Sequence, residues 1–319
     1  MKAAAALVAP AARQHVFPPP LERNYRIEDG RIRTRSLEAH IVDHCNLSCA
    51  ECCSLSPLLP AWQAEPASVA HDLKLAARVL APAVFKLVGG EPLLHSRLLE
   101  VIDAVRASGI APRLSLTTNG LKLGEMPDDF WRAVDALTIS RYPRPRLSDA
   151  LVAHIEAQAA RHAVQLNWKI QDTFTSMTRT PASDDAAAIG QLFHDCWLRE
   201  RCHIVRDGVF YTCTRPPHFH TLHGGAQDYA ADGLRLHEGA GLAEQMLAYL
   251  QRETPLQACF HCHGGSAPLA PHRIMKRAEV QAWKAIHVAQ FGAVAAEPPA
   301  ATAPASPAAG DRPPAEQQR

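Results

Sequence analysis

Three cysteines in the spacing C-x3-C-x2-C constrain this chain of 319 residues more than any other feature. They are Cys45, Cys49 and Cys52, within the string HCNLSCAEC that begins at His44. Three thiolates can hold three irons of a [4Fe–4S] cube and leave the fourth iron open for another ligand. A zinc site or buried free thiols would be the alternative interpretation of the same residues.

Short apolar runs alternate with helical patterns from residue 36 to about residue 170. The runs predict five strands, each followed by a helix or a turn, at 37–42, 84–88, 114–117, 136–140 and 164–170. Strands that alternate with helices indicate βαβ units and a parallel sheet. Ligands of such sheets bind beyond the carboxyl ends of the strands.

Turns whose residues could bind a ligand follow three of these strands. Gly89-Gly90-Glu91-Pro92 comes after the second strand, and Thr117-Thr118-Asn119-Gly120 comes at the end of the third. Ser140 and Arg141 stand at the end of the fourth. Because the carboxyl ends of parallel strands share one edge, we expect the three cysteines and these turns to gather on one rim.

The cysteine triad and the GGEP element together resemble the radical S-adenosylmethionine (radical SAM) superfamily. The resemblance implies a partial (β/α)6 TIM-type barrel and a [4Fe–4S] cluster held by Cys45, Cys49 and Cys52. It also implies that S-adenosylmethionine chelates the open iron. One-electron reduction would then cleave the sulfonium to a 5′-deoxyadenosyl radical, which abstracts a hydrogen atom from the substrate.

The same resemblance assigns residues to the S-adenosylmethionine site. Glu91 would accept a charge-assisted bond from the ammonium group of the methionine moiety. The glycines would let the backbone approach the ligand, and hydroxyl and amide groups would reach the ribose or the carboxylate. The superfamily usually has an aromatic residue before the third cysteine, where this chain has Glu51. The expected cofactor contacts are Gly89, Gly90, Glu91, Thr117, Thr118, Asn119, Ser140 and Arg141.

Two of these assignments have an ordinary structural alternative. The Thr-Asn-Gly turn could cap a helix without touching any ligand. Arg141 could equally be a surface residue.

The pattern changes after residue 171. Residues 171–190 are polar and read as a linker, and a hairpin is predicted at 203–211 around the turn Asp207-Gly208. The later cysteines resemble the auxiliary-cluster segment of the twitch and SPASM subfamilies, which implies a second [4Fe–4S] cluster. A zinc ribbon, helped by His261 or His263, is the alternative. Five cysteines compete for four ligand positions: Cys196, Cys202, Cys213, Cys259 and Cys262.

The predicted domain organisation follows from these segments. Residues 1–35 form a flexible leader, 36–190 the radical SAM core and 191–270 a small twitch/SPASM-like domain with a β-hairpin. A helix is expected at 271–292, and the Ala/Pro-rich tail 293–319 is expected to be disordered.

The net charge and the grouping of the cysteines limit the cellular location and the binding partners that we expect. Lys+Arg 33 against Asp+Glu 32 leaves a net charge of +1, which gives no general attraction to nucleic acid or an anionic membrane. The nine cysteines include close pairs that suit metal chelation in a reducing compartment better than a disulfide framework. We therefore expect a cytoplasmic protein.

The sequence predicts a radical SAM oxidoreductase in a biosynthetic pathway. The expected reaction is net oxidation of a small, sugar-like or aminocyclitol-like molecule, with electrons from a one-electron reductant such as flavodoxin or ferredoxin. A peptide (RiPP) maturase is one alternative, although the 44 residues before Cys45 are few for a leader-peptide-binding winged domain. A non-catalytic metal-binding protein is the other.

Overall fold

The computed structural model describes residues 25–223 and 229–291. Most of the predicted leader and the predicted tail from residue 293 lie outside these ranges. Within them, no helix combines the length and the apolar character needed to cross a membrane.

The strands of the described residues form one large sheet and one small one. The strands are β1 (Ile27–Glu28), β2 (Arg31–Val42), β3 (Leu80–Gly89), β4 (Leu114–Thr118), β5 (Ala136–Arg141), β6 (Gln165–Ile170), β7 (Thr173–Thr175), β8 (Ile204–Arg206), β9 (Val209–Tyr211), β10 (Leu234–Arg235) and β11 (Leu269–Pro271).

Helices follow most of the parallel strands and build the C-terminal part. They are α1 (Pro66–Ala76), α2 (Leu98–Ser108), α3 (Asp128–Ala133), α4 (Asp149–Arg161), α5 (Ala186–Asp195), α6 (Leu198–Arg201), α7 (Arg215–Leu222), α8 (Leu242–Leu250) and α9 (Arg277–Phe291).

The large sheet is mostly parallel, as predicted. Its order is β10-β9-β8-β2-β3-β4-β5-β6, and β2 to β6 run parallel to one another. Strand β8 joins β2 in parallel on the other side. The first strand of the predicted late hairpin therefore becomes a sixth parallel strand, and the α/β arrangement agrees with a partial TIM-type barrel.

The two faces of the sheet differ in polarity. Leu37, Ala39 and Ile41 of β2 are buried in the core that the helices cover, whereas Glu38 and His40 alternate with them and point to the other face. We call that second face the inner face. It carries Ser36, Glu38, His40, Lys86, Ser115, Thr117, Thr138, Ser140 and Asn167.

A buried ion pair stands on the inner face. The Lys86 ammonium donates to Glu38 Oε1 at 2.6 Å. Burial alone would raise the pKa of Glu38, but Lys86 and His40 together lower it to about 2. Glu38 is therefore ionised at neutral pH.

Several predicted boundaries differ from the structure. Strand β2 begins at Arg31 rather than residue 37, because residues 32–36 pair with residues 80–84 of β3 and β1 pairs with the first two residues of β2. The segment 173–175 of the predicted linker forms β7, which pairs with β11. Helix α7 lies in a segment with little periodicity, where Pro216 and Pro217 open the helix at positions that need no intrahelical N–H.

Candidate active site and cysteine clusters

The cysteine loop, residues 43–53, leaves the carboxyl end of β2. Cys49 is buried, with 7% of its surface exposed. Burial, with the charges of Cys52 and Cys45, raises its pKa far above the ordinary value. Burial and the neighbouring Cys53 raise the pKa of Cys52 to about 12. Thiols this close repel one another as thiolates, so bound cations would offset the repulsion and favour the ionised form.

The Gly-Gly turn packs directly against the cysteine loop. A Cβ on Gly90 would lie 2.0 Å from the carbonyl oxygen of His44, and a Cβ on Gly89 would lie 2.3 Å from that of Val42. Gly89 also has φ +146°, which other residues rarely adopt. These glycines therefore serve a close approach between two backbone segments of the protein itself.

Glu91 joins the two turns. Its Oε1 accepts from the hydroxyl of Thr118 at 2.7 Å and from the N–H of Leu93 at 3.1 Å. Its Oε2 accepts from the N–H of Asn119 at 2.8 Å. Burial raises the pKa of this carboxyl, and the three donated bonds oppose that rise. Glu91 is 1% exposed, so the carboxylate acts mainly on the protein.

Asn119 reaches from the third-strand turn to the cysteine loop. Its side-chain N–H donates to Asn46 Oδ1 at 2.7 Å and lies 3.9 Å from Cys45 Sγ. The predicted convergence of the two turns and the cysteines on one rim is present in the structure.

The two remaining predicted cofactor contacts, Ser140 and Arg141, lie on opposite faces of the end of β5. Ser140 lies on the inner face, on the same side of the chain as Tyr142, whose pKa is raised by burial and by the charges of Cys49 and Cys52. Arg141 alternates to the other face, and its guanidinium lies 5.5 Å from the ring centre of Trp168. Thr117 is half-buried on the inner face.

Four of the five late cysteines line one cavity: Cys196, Cys213, Cys259 and Cys262. Burial raises the pKa of Cys213 well above its ordinary value, and the charges of Cys196, Cys262 and Cys259 raise it further. The cavity is formed where α5 and the turn at 257–262 meet.

Cys202 lies elsewhere. Burial raises its pKa, and the next largest influences on it are the charges of Glu38 and Lys86. It therefore lies close enough to the ion pair of the inner face to interact with it, and it is not among the residues that line the four-cysteine cavity. Within the described residues, no three side chains of Cys, His, Asp or Glu converge on the position of a single metal ion.

Enzymes named GTP 3′,8-cyclase are similar in sequence to part of the chain, and no family model matches it. The GTP 3′,8-cyclase of Mycolicibacterium smegmatis is 34% identical over 146 residues, 41% of this chain and 40% of that protein. The GTP 3′,8-cyclase of Corynebacterium glutamicum is 32% identical over 171 residues, 47% of this chain and 45% of that protein. These cyclases are radical SAM enzymes.

Over the matched segments, this chain is similar to radical SAM enzymes. It spans less than half the length of the two cyclases that it matches. Radical SAM proteins bind a [4Fe–4S] cluster and S-adenosylmethionine. The residues present fit that pair of groups, because three mutually repelling thiols in one loop are the soft ligands that iron–sulfur clusters use.

Solved structures of radical SAM enzymes resemble the fold only loosely. BtrN in complex with AdoMet and 2-DOIA has a TM-score of 0.42 and 10% identity, over 73% of this chain and 94% of that chain. The tagged enzyme anSMEcpe with bound AdoMet has a TM-score of 0.33 and 18% identity, over 43% of each chain. Similarity at these TM-scores supports no argument about function.

Sequence reasoning missed two residues beside the radical SAM cysteines. His272 Nε2 lies 3.3 Å from Cys49 Sγ, and the ring of Tyr142 stacks on the ring of His272 at 4.6 Å. Tyr142 follows the predicted fourth strand by two residues, so strand alternation could have placed it beside Ser140. No local pattern marks His272, which is 223 residues away from Cys49.

Proposed function

We propose that this chain is a radical SAM enzyme whose radical SAM cluster is held by Cys45, Cys49 and Cys52. The convergence of the cysteine loop and of two strand-end turns on one rim carries the proposal. When bound, the cluster and S-adenosylmethionine supply the reductive sulfonium cleavage and hydrogen abstraction typical of the superfamily. The other residues of the rim bind and orient.

The buried carboxylate of Glu91 positions the turns and the cysteine loop of this rim. Glu91 holds Thr118 and the backbone of Asn119, and Asn119 in turn holds Asn46 next to Cys45. The loop that presents the thiolates is thereby fixed to the ends of β3 and β4. A pre-organised site of this kind loses little conformational freedom when a cofactor binds.

Direct cofactor contacts are proposed for the groups of the rim that face the inner side. Thr117 and Ser140 offer hydroxyls from neighbouring strands, and Gly90 and Asn119 offer main-chain or amide groups. Arg141, which stacks on Trp168, would have to change rotamer to take part. Its contribution to binding is therefore proposed to be the smallest of the set.

An auxiliary [4Fe–4S] cluster is proposed at Cys196, Cys213, Cys259 and Cys262. The common cavity and the mutual electrostatic influence of these thiols support this choice of four among the five late cysteines. When bound, such a cluster could accept an electron from the substrate or coordinate it. Cys202 is proposed to remain a free thiol on the inner face.

A small polar molecule is the proposed substrate, and the reaction is its net oxidation. The inner face offers the Glu38–Lys86 pair, and the amide of Asn167 donates to the hydroxyl of Thr138 at 3.3 Å. Such groups suit hydroxyl and amino substituents, as in a sugar or an aminocyclitol. The cyclases act on GTP by name, so GTP belongs among the compounds to be tried.

Anaerobic reconstitution with iron counting tests this proposal. The wild type is expected to hold about eight irons, and a Cys45/Cys49/Cys52→Ala variant about four, as for two four-iron cubes. A wild type with only four irons would remove the auxiliary cluster. A variant that keeps all eight would remove the assignment of the triad.

A further inference from the structure

The C-terminal segment returns to the cysteine loop and pairs with it. Residue Ile274 forms an antiparallel bridge with Cys49. The N–H of Ala50 donates to the carbonyl of Arg273 at 2.9 Å, and the N–H of Met275 donates to that of Ser48 at 2.8 Å. These main-chain bonds fix the position of residue 272 relative to Cys49.

The side chain of His272 points at the sulfur of Cys49. Its Nε2 lies 3.3 Å from Cys49 Sγ, within the range of an N–H···S hydrogen bond. The ring of Tyr142 stacks on His272 with centroids 4.6 Å apart and planes 23° apart. The ring of Phe174 lies 5.5 Å away. Backbone pairing and ring packing therefore hold the imidazole in one orientation.

The backbone of His272 is anchored a second time. Its N–H donates to the carbonyl of Asp172 at 2.8 Å, where β11 pairs with β7. The small sheet of β7 and β11 therefore fixes the backbone of both Phe174 and His272.

We propose that His272 is a positioning residue that donates a hydrogen bond from Nε2–H to the Cys49 sulfur and thereby favours the reduced cluster. This inference rests on the proposed function, because it needs Cys49 to be an iron ligand. An iron-bound thiolate has no proton, so the imidazole must be the donor. Reduction adds negative charge to the cluster and its sulfurs, and a donor stabilises that charge.

The imidazole can act as the donor in the tautomer that carries hydrogen on Nε2. A neutral donor changes the potential without adding a full charge beside the S-adenosylmethionine site.

The midpoint potential of the radical SAM cluster is the decisive readout. It is measured by an EPR-monitored redox titration of the iron-loaded protein, and the signal that changes when S-adenosylmethionine is added identifies this cluster. His272→Phe keeps a ring against Tyr142 and removes the donor. His272→Gln keeps an N–H donor. The matched control is His220→Phe, at an exposed histidine of α7.

The expected result is a lower midpoint potential in His272→Phe with an unchanged iron content. The reduction equilibrium should shift by about tenfold, which is about 59 mV for a one-electron couple. The glutamine variant should shift by less, and the His220 control should not shift. Wild-type potential in an iron-replete His272→Phe protein would overturn the inference.

Two further outcomes separate this inference from the proposed function. Loss of iron in both His272 variants would make the histidine a ligand rather than a donor and would overturn the inference alone. A wild type whose iron does not depend on Cys45, Cys49 and Cys52 would overturn the proposed function, and the inference with it.

Discussion

Arg206 and Asp43 form a bidentate ion pair between the β8–β9 hairpin and the cysteine loop. Arg206 Nη1 donates to Asp43 Oδ1 at 2.7 Å and Nη2 donates to Oδ2 at 2.8 Å. The Asp43 side chain is fully buried and that of Arg206 is 7% exposed. The guanidinium also lies 3.9 Å from the ring centre of Trp62. The pair therefore ties β8 to the residue that opens the cysteine loop.

Removal of one partner should destabilise the protein strongly. Arg206→Ala leaves a buried carboxylate without its partner, and we expect a loss of about 3–5 kcal/mol in the free energy of unfolding. Urea unfolding of the iron-loaded protein under anaerobic conditions measures it. Arg132→Ala, at an exposed pair with Asp129, is the control and should lose less than about 1 kcal/mol. Equal losses in the two variants would contradict the interpretation of the pair.

Gly90→Ala should disrupt the rim. The new Cβ would meet the His44 carbonyl oxygen at 2.0 Å, so the turn or the cysteine loop must move. We expect the variant to lose S-adenosylmethionine-dependent changes in the cluster EPR signal. Gly190→Ala in α5, where a Cβ meets nothing within 4 Å, should be neutral or stabilising by up to about 1 kcal/mol. A Gly90→Ala protein that responds normally to S-adenosylmethionine would refute the packing argument.

Cys202 and Cys213 should behave differently towards iron. Cys213→Ala removes one of four thiols in a common cavity, so we expect the iron content to fall by up to about four. Cys202→Ala removes a thiol that faces Glu38 and Lys86, so the iron content should stay at the wild-type value. Iron analysis after anaerobic reconstitution decides between them. A loss of iron in Cys202→Ala would reverse the assignment.

His203 should make stability depend on pH. This fully buried imidazole donates to the carbonyl of Arg199 at 3.0 Å, and burial lowers its pKa to about 4. In the unfolded chain the imidazole has a pKa of about 6.5, so it binds a proton there before it does so in the folded protein as pH falls. The contribution of His203 to the free energy of unfolding is therefore fully present above about pH 6.5 and declines below it. Between pH 7 and pH 5 the expected loss is about 2 kcal/mol.

The His203→Gln variant isolates this contribution. Its free energy of unfolding is compared with that of the wild type at pH 7, 6 and 5, so that groups common to both proteins cancel. Burial raises the pKa of Asp72 to about 6. Asp72 therefore changes the pH dependence of unfolding in the opposite direction, and it does so in both proteins. An equal pH dependence in the two proteins would show that His203 is not held neutral.

Local sequence patterns predicted the parallel strands and the rim but not the contacts between distant segments. Strand alternation and the turns after β3 and β4 placed Gly90, Glu91 and Asn119 together. The same reasoning assigned Gly90 and Glu91 to a ligand, which stays a prediction, and it did not predict their contacts with His44 and Thr118. Spacing could not choose between Cys196 and Cys202, because the choice depends on how α6 turns the chain between them. The contact of His272 with Cys49 arises from tertiary pairing and has no signal in either local segment.

The most direct test of the central claim is formation of 5′-deoxyadenosine. Iron-loaded wild type, reduced with dithionite in the presence of S-adenosylmethionine, is expected to produce it. The Cys45/Cys49/Cys52→Ala variant should not, whereas Cys202→Ala should. Absence of 5′-deoxyadenosine from a wild type with its full iron content, or its undiminished formation by the triple variant, would contradict the assignment of a radical SAM enzyme to these three cysteines.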